Sequence, residues 1–128
     1  MSSDLKGNNS NKGWIGFRVA CAGIILVIRN ERNFRIHLVA GAIVIIAGLL
    51  LRVSLLEWTV LLLTIAMVLS LEMINTSIER VMNHLSPEFH PAVGAVKDVA
   101  AGAVLVAAIF SIIIGMIIFL PKLTSILF

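Results

Sequence analysis

The chain has 128 residues, 59% of them hydrophobic and 13% charged, and a mean hydropathy of +1.05. A soluble domain of this size has too little interior to hide so much apolar surface, which excludes the ordinary soluble classes and leaves lipid as the fitting solvent, at about 20 residues per helical span. The formal charge of +3 is unevenly placed, because Lys6, Lys12, Arg18, Arg29, Arg32 and Arg35 all precede the first full span, and this puts the N-terminus in the cytoplasm.

Residues 1–13 are polar and predict a frayed lead. The apolar stretch behind them runs into charges rather than a small-residue cleavage site, so no cleavable signal peptide is expected. Over residues 14–29, Trp14, Phe17, Cys21, Ile24, Ile25 and Ile28 recur at helical spacing with Arg18 and Arg29 at the margin, the pattern of an amphipathic helix lying in the membrane surface; an inward tilt is the alternative, since Ile15, Leu26 and Val27 make the other side apolar too. The single cysteine, Cys21, rules out an intrachain disulfide or a zinc cluster of several thiolates and reads as a packing residue. Asn30 to Arg35 form a charged break. The first transmembrane helix is predicted over residues 37–54, with Arg52 snorkelling at its far end.

A short turn leads to the second transmembrane helix, residues 55–84, whose cytoplasmic end carries Glu72, Asn75, Glu79 and Asn83. After a loop with Pro87 and Pro91, the third is predicted over residues 92–120, ending at Pro121 and Lys122, with small residues such as Ala100, Gly102 and Ala103 for close helix packing. The expected fold is thus a single all-α integral membrane domain, an N-terminal amphipathic surface helix plus three transmembrane helices. Its polar clusters gather on the cytoplasmic side, apart from the Arg52/Glu57 region and the C-terminal end.

Glu72 is the anomaly in this pattern. A carboxylate beside a long apolar run costs several kcal/mol by order of magnitude unless it is paired or reached by water. At about 100° per residue, Glu72, Asn75, Thr76, Glu79 and Asn83 fall within one sector of the helix, with Glu72 and Glu79 about 10 Å apart along the axis. The deeper carboxylate suits a general base at the lipid boundary, and the shallower one suits a divalent cation near the cytosol. Glu31, Lys97 and Asp98 are expected at the same membrane level. Glu31, Glu79 and Lys97 match what a magnesium nucleotide takes from a protein: one or two carboxylates on the metal and a lysine on phosphate oxygens. The motifs of soluble nucleotide-binding folds, GxxxxGK[ST], GxGxxG, HRD and DFG, do not occur.

Blander roles compete. Glu72 alone can be a structural hydrogen-bonding residue, and Asp98 can complement a helix macrodipole from the first turn. His37, His84 and His90 lack zinc spacing, Trp14 and Trp58 sit near opposite interfaces as belt residues do, and Met67, Met73 and Met82 read as packing.

Three stretches together carry a resemblance: Glu31-Arg32-Asn33-Phe34, Leu71 through Glu79, and Lys97-Asp98-Val99-Ala100-Ala101-Gly102-Ala103. They resemble the prokaryotic diacylglycerol kinase family, small membrane enzymes unrelated to soluble kinases, over about residues 12 to 123. Glu57-Trp58 and Phe119 through Leu123 look more like the branch from Gram-positive bacteria, whose members act chiefly as undecaprenol kinases. The resemblance implies a homotrimer in the bacterial plasma membrane, with composite active sites between subunits on the cytoplasmic side. Its partners would be ATP, Mg²⁺ and a membrane lipid alcohol, with no nucleic acid.

The resemblance also assigns roles. Glu72 matches the catalytic base that takes the lipid hydroxyl proton and so contacts the lipid substrate, and Asn75 matches a residue that positions the γ-phosphate. Glu31 and Glu79 match the metal ligands that hold Mg²⁺ with ATP; Lys97, Asp98, Glu88 and His90 match nucleotide contacts; Lys12 corresponds to a basic residue near the phosphates. Asn83 departs from the family, which commonly has an aspartate there, but the full set of Glu72, Asn75, Glu79, Lys97 and Asp98 still predicts an active enzyme. The expected reaction is direct phosphoryl transfer from ATP to undecaprenol, with diacylglycerol as the alternative acceptor. Two readings from other classes remain, a small proton-coupled transporter built around Glu72 and a purely structural membrane subunit.

Overall fold

The computed structural model describes residues 10–88 and 90–127, with side chains from residue 13 onward within those ranges. Four helices follow one another: α1 (Ser10–Asn30), α2 (Arg32–Leu50), α3 (Leu55–Leu85) and α4 (Pro91–Leu127). No strand occurs among the described residues. Residues 1–9 of the polar lead and the Lys12 side chain lie outside the description, while Ser10 to Gly13 already belong to α1.

The charged break expected over Asn30 to Arg35 shrinks to one residue, Glu31, which is extended at φ −107° and ψ 114°. The reason is a side-chain cap. The Arg35 guanidinium folds back and Nη1 donates to the last carbonyls of α1, Arg29 O at 2.9 Å and Ile28 O at 3.4 Å. A cation on a helix C-terminus satisfies its orphan carbonyls and its macrodipole at once, so α2 starts without a loop. Val27 and Phe34, both buried, flank this corner on the two helices.

At the other end α2 closes in a Schellman motif: Val53 N–H donates to Gly48 O at 3.1 Å and Arg52 N–H to Leu49 O at 3.4 Å, with Arg52 left-handed at φ 51°. Helix α3 then opens on a capping box, in which Glu57 N–H donates to Ser54 Oγ and Ser54 N–H to Glu57 Oε2. Glu57 also pairs with Lys122 of α4 at 3.0 Å, tying the far ends of α3 and α4 together.

The third predicted span ends at Pro121, but α4 continues to Leu127. Proline removes its own N–H, so the Ile117 carbonyl loses its usual helical donor, yet the helix runs on for another turn and a half. In that turn Thr124 Oγ1 donates to Pro121 O and Ser125 Oγ to Lys122 O, and the Lys122–Glu57 pair ties it to α3. The helix also starts at Pro91, the favoured residue for a first helical position, so Lys97 and Asp98 lie beyond the first turn and the macrodipole role considered for Asp98 falls away.

At 1.5 Å per residue α3 and α4 are about 46 and 55 Å long, well over the roughly 30 Å of a hydrocarbon core. Each overshoots it by several turns. All four helices are long and apolar enough to cross a membrane, α1 included, so length and composition do not separate a surface helix from three spans.

The small interior sits near the far turn, where Val53, Leu61 and Ile118 are buried and Val44, Trp58, Ile114 and Phe119 pack against them. Elsewhere Ile43, Leu63, Phe110 and Ile117 are among many exposed apolar side chains, as expected of surfaces that meet lipid tails or other helices. Gly48 lets Trp58 lie flat on α2, for a Cβ there would stand 2.8 Å from the indole Cη2. Gly48→Val is expected to force the rigid ring out of place, at about 1–3 kcal/mol. The check is the melting temperature in detergent, with Gly115→Ala, whose Cβ would meet only Phe119 at 4.0 Å, as the near-neutral control.

Candidate active site

Glu72, Asn75 and Thr76 are the buried polar or charged residues of the described chain, with 3%, 6% and 3% of their surface exposed. They fall at i, i+3 and i+4 on α3, one face turned inward. Glu79, two turns after Glu72, continues that face and is half-buried, while Ser77 on the other side bonds back to Met73 O. The ionisable groups that face Glu72 are His37 of α2, Glu79 of α3 itself and Glu31 at the α1–α2 corner.

Asn75 Oδ1 is buried and accepts no hydrogen bond. Such an atom is costly, about 1–3 kcal/mol, and marks a place where a ligand donor would fit. Asn75 also lines a groove of about 500 Å³ between α3 and α4, walled by Leu71, Ile74 and Ile78 on one side and by Ala95, Val96, Val99, Ala100 and Ala103 on the other. Asn75 is the polar residue of this lining. The alanines keep α4 thin, and the groove is wide because their side chains are short.

A second cavity, about 350 Å³, lies at the α3–α4 connection and is polar. It gathers Asn83, Ser86, Glu88, His90, Lys97 and Asp98, with Pro87, Val93 and Gly94. Lys97 Nζ donates to Asn83 Oδ1 at 3.1 Å. His90 Nδ1 accepts from Ala92 N–H at 3.2 Å, capping α4, so a neutral ring carries its proton on Nε2, the remaining donor. Ser86 Oγ donates to Glu88 O and orders the loop backbone.

The polar cavity takes in only part of the predicted set. Glu88, His90, Lys97 and Asp98 share the polar cavity. Glu31, Glu72 and Glu79 do not line it; Glu31 instead pairs with Arg80 at 3.0 Å. Arg80 was not singled out by the sequence reading, although its place beside Glu79 on a polar helix end was a signal. His37 faces Glu72 from a distant part of the sequence, and the Arg35 cap reaches back across a break between two helices, so helical spacing reports neither.

Among the described residues no three His, Cys, Asp or Glu side chains come together as a metal cluster. Mg²⁺ carried on nucleotide phosphates keeps waters and takes only one or two protein carboxylates. The donor set fits a cation that arrives with phosphate rather than one caged by protein.

Residues 18–119 match the family described as prokaryotic diacylglycerol kinase. Among curated proteins the chain is similar to the undecaprenol kinase of Bacillus subtilis (strain 168), 43% identical over 123 residues that cover 96% of this chain and all of that protein. It is also similar to the diacylglycerol kinase of Synechocystis sp., at 40% identity covering 88% of this chain and 65% of the relative. With the diacylglycerol kinase of Escherichia coli (strain K12) the identity is 30%, covering 78% and 76%.

Proposed function

The chain belongs to the prokaryotic diacylglycerol kinase family and is a membrane lipid kinase, and from that premise we propose that it transfers the γ-phosphoryl of ATP to the hydroxyl of undecaprenol. The transporter and structural-subunit readings end with the family membership. Identity of 43% along the whole length of a relative named undecaprenol kinase supports undecaprenol over diacylglycerol, the acceptor in the names of relatives at 40% and 30%. The observation that carries the site is Asn75, which lines an apolar groove and has a buried, unpartnered Oδ1, one turn from buried Glu72.

In this reading a lipid tail lies along the α3–α4 groove and its terminal hydroxyl reaches Asn75 and Glu72. The alcohol O–H is a donor, which is what Asn75 Oδ1 lacks, and the Nδ2 end of the same amide is a donor for a phosphoryl oxygen. One side chain thereby fixes both reactants. The lipid oxygen attacks the γ-phosphorus as the bond to the β–γ bridging oxygen breaks, ADP leaves, and the hydroxyl proton passes to the Glu72 carboxylate. No covalent enzyme intermediate is needed. Glu31 and Glu79 would hold Mg²⁺ that comes with ATP, where it neutralises phosphate charge. Lys97, Asp98, Glu88, His90 and Lys12 are assigned to the nucleotide.

Glu31, Glu72 and Glu79 do not line the polar cavity of the single chain, which supports a complete site assembled between subunits of a homotrimer. The N-terminus and the active site face the cytoplasm of a bacterial plasma membrane, in line with the basic residues before α2. In this arrangement α1 lies along the surface, its Arg18 and Arg29 at the headgroups and Trp14 and Phe17, both exposed, directed to the acyl boundary.

Radiolabel transfer from [γ-³²P]ATP to undecaprenol and to diacylglycerol in mixed micelles tests the acceptor. The expected result is a larger kcat/KM for undecaprenol; a preference for diacylglycerol overturns the assignment of the lipid but not of the kinase. Ala100→Phe, which fills the groove, is expected to cut transfer to either lipid by about tenfold or more through the lipid KM, since about 1.4 kcal/mol of lost apolar contact suffices. An unchanged lipid KM in that variant removes the groove from the reaction.

A further inference from the structure

We propose that Arg80 is a positioning residue for the metal nucleotide: its guanidinium holds one oxygen of the Glu31 carboxylate and so presents the other to the cation. This rests on the reading of Glu31 as a metal ligand. The short stretches that carry the resemblance include Glu31 and Glu79 and stop one residue short of Arg80, so they give it no role.

Glu31 is the single residue between α1 and α2, and its backbone is fixed on both sides: its N–H donates to Val27 O at 2.9 Å and its carbonyl accepts from Arg35 N–H at 3.3 Å. The side chain lacks such support. It is 30% exposed, and a free glutamate there would give up its rotamer freedom only when the cation binds. Arg80 removes much of that freedom beforehand, because Nη2 donates to Glu31 Oε1 at 3.0 Å. The described contacts of this carboxylate engage Oε1 alone, which leaves Oε2 for a metal. Metal-ligating carboxylates are commonly held by an outer hydrogen bond of this kind, and orienting the ligand in advance lowers the cost of binding.

The place of the partner matters as much as the bond. Arg80 follows Glu79 directly on α3, so the pair fixes the α1–α2 corner against the turn that carries the other proposed ligand. Glu31 and Glu79 both face Glu72, and MgATP is itself an anion, so a guanidinium beside these carboxylates offsets part of their repulsion for the incoming complex. Arginine stays charged at every working pH, and the hold does not lapse.

The test reads Kd for MgATP from the melting temperature of the full-length protein in detergent, titrated far enough for weakened variants to saturate, with kcat measured beside it. The variants are Arg80→Met, Arg80→Lys, Glu31→Gln and the Arg80→Met/Glu31→Gln double. Arg80→Met is expected to raise Kd by roughly 3- to 10-fold with kcat at saturation within about twofold, a modest loss for an outer partner of a metal ligand because the pair is half-exposed. Arg80→Lys keeps the charge and a donor and is expected to recover most of that loss. Glu31→Gln is expected to raise Kd by itself, and Arg80→Met to add under about twofold to it, since the guanidinium then has no carboxylate to orient.

An unchanged Kd in Arg80→Met, or a fall in kcat at constant Kd, overturns the inference. So does a lowered Kd, which makes the guanidinium a competitor of the cation for Glu31, and so does an Arg80→Met effect of equal size in the Glu31→Gln background, which makes Arg80 a direct phosphate contact. These outcomes leave the metal reading standing. An unchanged Kd in Glu31→Gln overturns the assignment of Glu31 to the metal and the inference together.

Discussion

Glu72→Gln is expected to lower kcat for lipid phosphorylation by about 10²–10⁴-fold, the usual range for removing a positioned general base. The substitution keeps the size and hydrogen-bonding capacity of the side chain and removes only its ability to take a proton. Glu72 is 3% exposed beside an apolar run, so a neutral amide there relieves a desolvated charge and the fold is expected to hold, with a melting temperature equal to or above that of the wild type. The two effects have opposite signs. Activity collapses while stability does not, which distinguishes a catalytic carboxylate from one kept for packing.

The thermal shift caused by MgATP is expected to survive in Glu72→Gln, because the proposed site gives Glu72 the lipid hydroxyl and gives the metal nucleotide to Glu79, two turns further along the helix, and to Glu31. Wild-type kcat in the variant sinks the base assignment. Loss of both activity and the nucleotide shift moves Glu72 from the acceptor side to the nucleotide side of the site.

The inward face of α3 was legible from sequence because its signal is local. Glu72, Asn75 and Thr76 sit at helical spacing within a few residues, and a carboxylate beside an apolar run is conspicuous wherever lipid is the solvent. The helical class and the membrane setting followed from composition for the same reason, since both are sums over the chain. The lipid kinase activity came from three short stretches of resemblance, not from spacing.

What stayed hidden depends on tertiary neighbours. The corner at Glu31 reads as a loop of charges until Arg35 is seen capping the helix before it. The Glu31–Arg80 pair links residues 49 positions apart, and no periodicity reports that. Asn83 looked only like a missing negative charge, because its partner Lys97 is 14 positions away across a loop. Proline at position 121 argued for a stop, and the Lys122–Glu57 pair that ties the following turn to α3 joins residues far apart in the sequence. The α3–α4 groove is a product of two alanine-rich and isoleucine-rich faces meeting, so its volume is not written in either face alone.

Glu79→Gln carries the second large effect, on the metal nucleotide. Saturating MgATP at about 100 times its Kd stabilises a binding-competent protein by about 2.7 kcal/mol, an upward shift of several degrees in melting temperature. If Glu79 supplies one of only one or two protein carboxylates to the cation, its amide removes most of that gain. The shift is expected to appear in wild type with MgATP, to shrink when EDTA removes the metal, and to be lost in Glu79→Gln with either. Glu31→Gln offers the useful contrast. It takes away a proposed metal ligand but also the partner of Arg80, so its melting temperature without nucleotide is expected to fall as well, by the modest amount a half-exposed ion pair contributes. Glu79 has no ion-pair partner in the described structure to confuse the reading, which makes it the cleaner probe. A Glu79→Gln protein that keeps the full magnesium-dependent shift removes Glu79 from the metal and leaves Glu31, already held at the corner by Arg80, as the carboxylate to which the cation must come.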